Sequence, residues 1–294
     1  MNLQRFSSIR HIVETAAGTV GYAEIGEGPP ALFVHGLFVS SYMWAGVMER
    51  VSDGRRCIAY DLPAHGLSPA DPRQDLSLQG QSGVLEAFCE EMGLEDIDLV
   101  ANDTGGAIAQ ALAVRRPDLL HSFTLTNCEA DDVLPADDPL AQAAAELARA
   151  GRLADAVMQA TDPEFARSEL GIAPALQYPD RIDAELLAGL FEPHSTQRAT
   201  AEEIQRTLAS LDAADLVALQ PGLEKLEVPT LMVWSTGDQF FPVRLAHWLS
   251  DTIPGATEVV EIEGGKLFWP FERPDELVPH LRRHWAAADR KVVA

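Results

Sequence analysis

The stretch Leu99-Val100-Ala101-Asn102-Asp103-Thr104-Gly105-Gly106-Ala107 sets one carboxyl between an apolar run and a run of small residues. A chain that turns sharply from strand to helix needs small neighbours there, because the backbone is strained and bulky flanking side chains would collide. Such an elbow presents its central side chain to a substrate, and the N–H groups of the helix start favour negative charge on it. Asp103 could then attack carbon as a nucleophile or move a proton. Its plainer alternative is a helix N-cap before a glycine-rich packing contact.

Two more turns follow apolar runs upstream. One is His35-Gly36-Leu37-Phe38, continued by Ser40-Ser41-Tyr42-Met43-Trp44; the other is Asp61-Leu62-Pro63-Ala64-His65-Gly66-Leu67-Ser68. In order and form, the three stretches resemble the α/β-hydrolase superfamily, whose pattern is HG after the third strand, DxxxHGxS after the fourth and an elbow after the fifth. The resemblance runs from about Val20 to Trp285. It implies an α/β fold with a mostly parallel eight-stranded sheet, helices on both faces, and a helical cap between strands 6 and 7. Residues 1–129 and 221–294 would form the core domain and 130–220 the cap.

Most members carry serine at the elbow. Aspartate there resembles the haloalkane dehalogenase and epoxide hydrolase branch, in which the carboxylate forms an alkyl-enzyme ester that a histidine-activated water cleaves. The resemblance further implies anion-stabilising N–H groups from Thr104 and from Leu37 or Phe38. The supporting acid is either Asp238, in Trp234-Ser235-Thr236-Gly237-Asp238, or Glu129, in Thr126-Asn127-Cys128-Glu129.

One group departs from that pattern. The family's histidine precedes an acidic-Arg-Pro stretch; this chain reads Glu263-Gly264-Gly265-Lys266-Leu267-Phe268-Trp269-Pro270-Phe271-Glu272-Arg273-Pro274, which puts Leu267 in the histidine's column with Lys266 beside it. His35 and His65 belong to their turns, and His247 and His284 to helices. Lys266 would activate water only if burial drew its pKa far down. An apolar Leu267 beside Asp103 would desolvate the carboxyl and raise its pKa, against the pull of the helix N-terminus. Thr104 and Leu37 stand where a dehalogenase usually holds halide, and Phe38 where an epoxide hydrolase usually has proline; Tyr178 is the one tyrosine of the cap. Phe38, Trp44, Phe240, Phe241, Phe268 and Trp269 are expected to line the cleft.

The elements that must position these residues alternate. Strands are predicted at 9–14, 20–25, 31–35, 56–61, 97–102, 122–127, 230–234 and 257–262, the first two as a hairpin over Ala16-Ala17-Gly18. The later ones are continuously apolar, as strands buried on both faces are. Helices are predicted at 78–92, 106–116, 243–249 and 276–287, an alternation that indicates a parallel sheet. From about Ala130 to Gln220 no strand signal occurs, and Ala, Leu, Asp and Glu recur at helical spacing, punctuated by proline.

Composition narrows the function. The 294 residues carry 45 Asp and Glu against 22 Lys and Arg, a formal charge of -23. Such a chain repels nucleic-acid backbones and anionic membranes, so a small molecule is the expected partner, with the oligomeric state, a homodimer included, left open. Cys57, Cys89 and Cys128 are widely spaced, which predicts neither a disulfide framework nor a cysteine metal site. No metal or cofactor is expected, and the first residues lack a signal-peptide pattern, which makes the cytoplasm the default location.

Three functions fit these residues. One is an Asp103-nucleophile enzyme acting on a small or medium neutral apolar substrate. Another is a non-hydrolytic enzyme using Asp103 as a base for elimination, cyclisation, decarboxylation or isomerisation. The third is a catalytically silent ligand-binding protein.

Overall fold

Eight apolar runs rich in β-branched residues pair into one sheet in the computed structural model, which describes residues 1–292. The strands are β1 Arg10–Thr15, β2 Gly18–Ile25, β3 Pro30–Val34, β4 Arg56–Tyr60, β5 Ile97–Asn102, β6 Leu120–Thr126, β7 Thr230–Ser235 and β8 Ala256–Ile262, in the spatial order β1-β2-β4-β3-β5-β6-β7-β8. The β1–β2 and β2–β4 pairs are antiparallel, and every later pair is parallel. All residues of β5 and β7 are buried, as the unbroken apolar runs predict for strands covered on both faces. The sequence placed all eight strands, with ends within about two residues, and Thr15 pairs with Gly18 to close the expected hairpin.

The helices are α1 Leu3–Ser7, α2 Ala45–Val51, α3 Leu78–Glu91, α4 Thr104–Arg115, α5 Pro139–Arg149, α6 Ala154–Val157, α7 Pro163–Ala166, α8 Ala184–Ser195, α9 Arg198–Ala209, α10 Ala213–Val217, α11 Gln220–Leu223, α12 Arg244–Thr252, α13 Trp269–Glu272 and α14 Pro274–Val292. Short α1 and α2 escaped the sequence reading because five and seven residues hold too few turns to show a period. Between β6 and β7 the chain is helical, with no strand among the described residues. Aspartates start several of these helices: Asp138 accepts from Leu140 N–H and Asp183 from Leu186 N–H, satisfying N–H groups that the helix itself leaves free. No helix among the described residues is long and apolar enough to cross a membrane.

Helix α8 sits directly against the turn after β3. Ser40 Oγ donates to the Gly189 carbonyl at 2.7 Å, and the Tyr42 ring lies so close that a Cβ at residue 189 would overlap it. Gly189→Ala is therefore expected to destabilise the protein by about 1–3 kcal/mol, the usual cost of overpacking, as measured by urea denaturation. An unchanged midpoint would mean that α8 is free to shift.

Candidate active site

The loops at the C-terminal ends of β3, β5, β6 and β7 meet in one place, where ligands bind in open α/β sheets. Asp103 forms the turn from β5 into α4 with φ 54° and ψ -146°, a conformation costly for any residue with a side chain. Its N–H donates to the Asn127 carbonyl at 2.8 Å and its carbonyl accepts from Gly106 N–H at 2.7 Å, which pins the strained turn on both sides. Gly36 lets the carboxyl lie against the β3 loop: a Cβ there would overlap it. The N–H groups of Thr104 and Leu37 point their positive ends toward this carboxyl and favour its charged form. Of the two donors considered for the β3 loop, Phe38 N–H is spent on His65 Nε2 at 3.2 Å.

A second carboxyl stands beside the first. Glu129, after β6, accepts from Thr104 Oγ1 at 2.7 Å through Oε1, while Oε2 is buried with no protein partner. Burial pushes its pKa up to about 7. Burial, and next the charge of Glu129, push Asp103 well above the ordinary carboxylate range, and the Thr104 N–H opposes them. The rise expected from desolvation is present, and the neighbouring carboxyl adds to it. Both carboxyls are thus pushed toward the protonated form by the same burial, and a charge on one opposes a charge on the other.

Asp238 is the more distant acid. Its Oδ2 accepts from Asn127 Nδ2 at 2.9 Å and its Oδ1 from Phe240 N–H at 2.9 Å. Burial lifts its pKa to about 7 as well. Asn127 is the joint of this corner: its Oδ1 also accepts from Ser235 N–H and from Trp269 Nε1. Asn102 Nδ2 donates to the Leu267 carbonyl at 3.2 Å, fastening the loop after β8 to the strand that carries the elbow.

Asp103, Thr104, Glu129, Leu37, Phe38, Leu267 and Phe268 all line one cavity of about 210 Å³. The rest of its wall is almost wholly apolar, including Phe240, Phe241 and side chains from α5 to α9; Asp103 and Glu129 are its charged residues. Asp238 does not reach it, so Glu129 is the acid that shares the cavity with Asp103. Leu267 lines the same cavity as Asp103.

Besides Asp238, four expected site residues lie elsewhere. Lys266 is half-buried and its charge faces Glu272, because it turns away where its neighbour Leu267 turns in; an ammonium in the apolar cavity would forfeit its hydration. Trp44 is fully buried against Phe33, at 5.4 Å between ring centroids. Trp269 is buried with its Nε1 on Asn127, a positioning contact rather than a cavity wall. Tyr178 lies in a separate groove, with Arg181 stacked 4.2 Å over its ring.

Sequence reasoning missed His194 and Ser195, the polar pair that ends the apolar run of α8. That pair, closing an otherwise apolar stretch, was the available signal. His35, His65 and His194 form a buried row with neighbouring ring centroids 5.5 and 5.4 Å apart. Burial first, then neighbouring groups, hold all three neutral, with pKa values of about 3, 3 and 4. Each ring spans two backbone groups: His35 takes Leu62 N–H and gives to the Gly36 carbonyl, and His194 takes Gly66 N–H and gives to the Phe38 carbonyl. With Phe38 N–H on His65, the β3 loop is gripped at both polar atoms of Phe38, whose φ is 66°. None of the histidines lines the cavity.

The raised pKa of Glu129 carries a stability cost of definite sign. The unfolded glutamate loses its proton near 4.5 and the folded one at about 7, so stability falls as pH rises between those values and stays reduced above them. Glu129→Gln removes that loss. It is expected to unfold at higher urea concentration than the parent at pH 8, by up to about 3 kcal/mol, and to differ much less at pH 5. Equal shifts at both pH values would show that the carboxyl is not held neutral by burial.

Comparison with known proteins agrees with this architecture. The sequence pattern of the alpha/beta hydrolase fold matches residues 29–269. The chain is 24% identical over 265 residues to haloalkane dehalogenase 2 of Mycobacterium tuberculosis, covering 90% of each chain. It is 23% identical over 252 residues to a monoacylglycerol lipase of Mus musculus, covering 85% of this chain and 73% of the other. The crystal structure of a haloalkane dehalogenase from Bradyrhizobium elkani superposes with a TM-score of 0.79 at 22% identity, covering 96% of this chain and 99% of that one. With that match spanning most of its length, the chain belongs to the alpha/beta hydrolase fold family, as an enzyme fold related to haloalkane dehalogenases, lipases and esterases.

Proposed function

We propose that this protein catalyses proton transfer on a small or medium, neutral, largely apolar molecule, with Glu129 as the base and Asp103 as the acid. What supports the reading is the Glu129–Asp103 carboxyl pair in an apolar cavity that no histidine among the described residues lines. A base with a pKa near neutrality is well matched to its task at pH 7. With Leu37 and Thr104 N–H groups on its carboxyl, a neutral Asp103 retains an O–H to give. Glu129 takes a proton from one substrate position while Asp103 delivers one to another. The pair then resets by passing a proton back, so its total proton count is unchanged. An isomerisation meets that balance without an attacking water.

The strained elbow and its two N–H donors favour a second reading, in which Asp103 attacks carbon and forms an alkyl ester. Without a histidine, that ester is expected to persist as a mass increase on Asp103 after exposure to haloalkanes or epoxides. Leu267→His should release it, and Lys266→Ala should leave it in place.

A panel of neutral β,γ-unsaturated ketones in deuterium oxide, followed by NMR, separates the readings. Deuterium uptake and double-bond migration are expected, with kcat rising through an apparent pKa near 7 and falling by about 10²–10⁴-fold in Glu129→Gln. A stable adduct on Asp103 with no exchange in any member would overturn the proton-transfer reading.

A further inference from the structure

One polar atom in the cavity has no task in the chemistry above. Ser195, the last residue of α8, is 1% exposed and faces the cavity, and its hydroxyl meets no hydrogen-bonding group of the protein. A buried hydroxyl without a partner is costly in an apolar surround; Ser41, Tyr60 and Thr124 carry the same cost away from the cavity, whereas Ser195 lines it. Thr104, the other hydroxyl on the wall, is already committed to Glu129, whose Oε2 is the second buried oxygen left open. The two open oxygens stand on different walls: Glu129 on the loop after β6, Ser195 on the helical segment that follows it. Everything between them on the wall is apolar apart from Asp103 and Thr104. At about 210 Å³ the cavity suits a small to medium molecule, below the roughly 300–1,000 Å³ of clefts that take drug-sized ligands.

We infer that Ser195 is a specificity-determining residue, which hydrogen-bonds a hydroxyl or carbonyl oxygen carried by an otherwise hydrocarbon substrate at a distance from the group that meets Glu129. The inference rests on the cavity being the substrate site, as the proposed function holds. It deepens that reading by naming the substrate class: a neutral hydrocarbon frame bearing two separated oxygen functions. An anion is disfavoured because no Lys, Arg or His faces the cavity and Glu129 itself ionises. A hydroxyl adds specificity through its loss, because an analogue lacking the oxygen leaves Ser195 unpaired.

The test uses the full chain and displacement of a neutral apolar dye, N-phenyl-1-naphthylamine, by 1-alkanols and α,ω-diols of six to twelve carbons. At one chain length or more, the diol is expected to displace dye at a concentration about threefold to tenfold lower than the matching alkanol, the size of one neutral hydrogen bond. Ser195→Ala should erase that gain while leaving the alkanol within about twofold, and Ser195→Thr should restore it; thermal melting checks that each variant folds. No diol gain in the parent protein, or a gain that survives in Ser195→Ala, would overturn the inference. Proton exchange measured on the same preparations keeps the two ideas apart. A diol gain lost in Ser195→Ala, in protein that exchanges no substrate proton, would remove the catalytic reading and leave Ser195 its role. Exchange that depends on Glu129 with no diol gain would do the reverse.

Discussion

Taking Asp103 and Glu129 out of water side by side is the constraint around which the rest is arranged. A lone buried carboxylate is too costly to keep, so the groups either lose charge or gain donors, and this protein does both. Thr104 serves twice, its N–H on Asp103 and its hydroxyl on Glu129, so the first residue of α4 joins the two acids. Leu37 adds a donor from the other side. What remains is met by protonation, which is why both acids titrate high rather than low. An ordinary surface carboxylate would be cheaper to fold and useless for exchanging protons near neutrality.

The surrounding polar side chains hold backbone rather than substrate. Asn127 ties Asp238, Ser235 and Trp269 together, and Asn102 reaches across to Leu267, so the ends of β5, β6 and β7 and the loop after β8 are one hydrogen-bonded body. Asp61 does the same for the turn after β4, accepting from Ser41 and Leu67 N–H groups and pairing with Arg10. These residues are buried and polar, the profile of catalytic groups, but the groups named here hold backbone and one another rather than facing the cavity. Burial alone therefore does not separate a working residue from a supporting one.

How much of this was legible in the sequence follows from how local each signal is. The central strands could be read because they are continuous apolar runs, the edge strands because β-branched residues recur between turn signals, and the elbow because its small neighbours are adjacent in the chain. Leu267 in the histidine's place was legible from the acidic-Arg-Pro stretch that follows it. The choice between Glu129 and Asp238 was not, because both end strands in the same style and only the packing of the loops decides which one faces the cavity. Trp44, Trp269 and Tyr178 were assigned to the cleft by type, and an aromatic residue carries no mark in the sequence of the side on which it is buried. Lys266 fails for a simpler reason: neighbours in a tight turn point apart. His194 and Ser195 lie about ninety positions from the elbow, at a distance where residue order says nothing about contact.

The row of three neutral imidazoles has a mechanical meaning. His194 belongs to α8, and its grip on Phe38 and Gly66 bolts that helix to the two turns beneath it. Lifting α8 would drag Phe38 and, with it, the adjoining Leu37 N–H away from Asp103, so this side of the chamber cannot serve as a door without dismantling the site. Leu170 is the contrast: 70% exposed, it still borders the cavity, so the wall meets solvent there while the wall at α8 is bolted to the turns that carry the site.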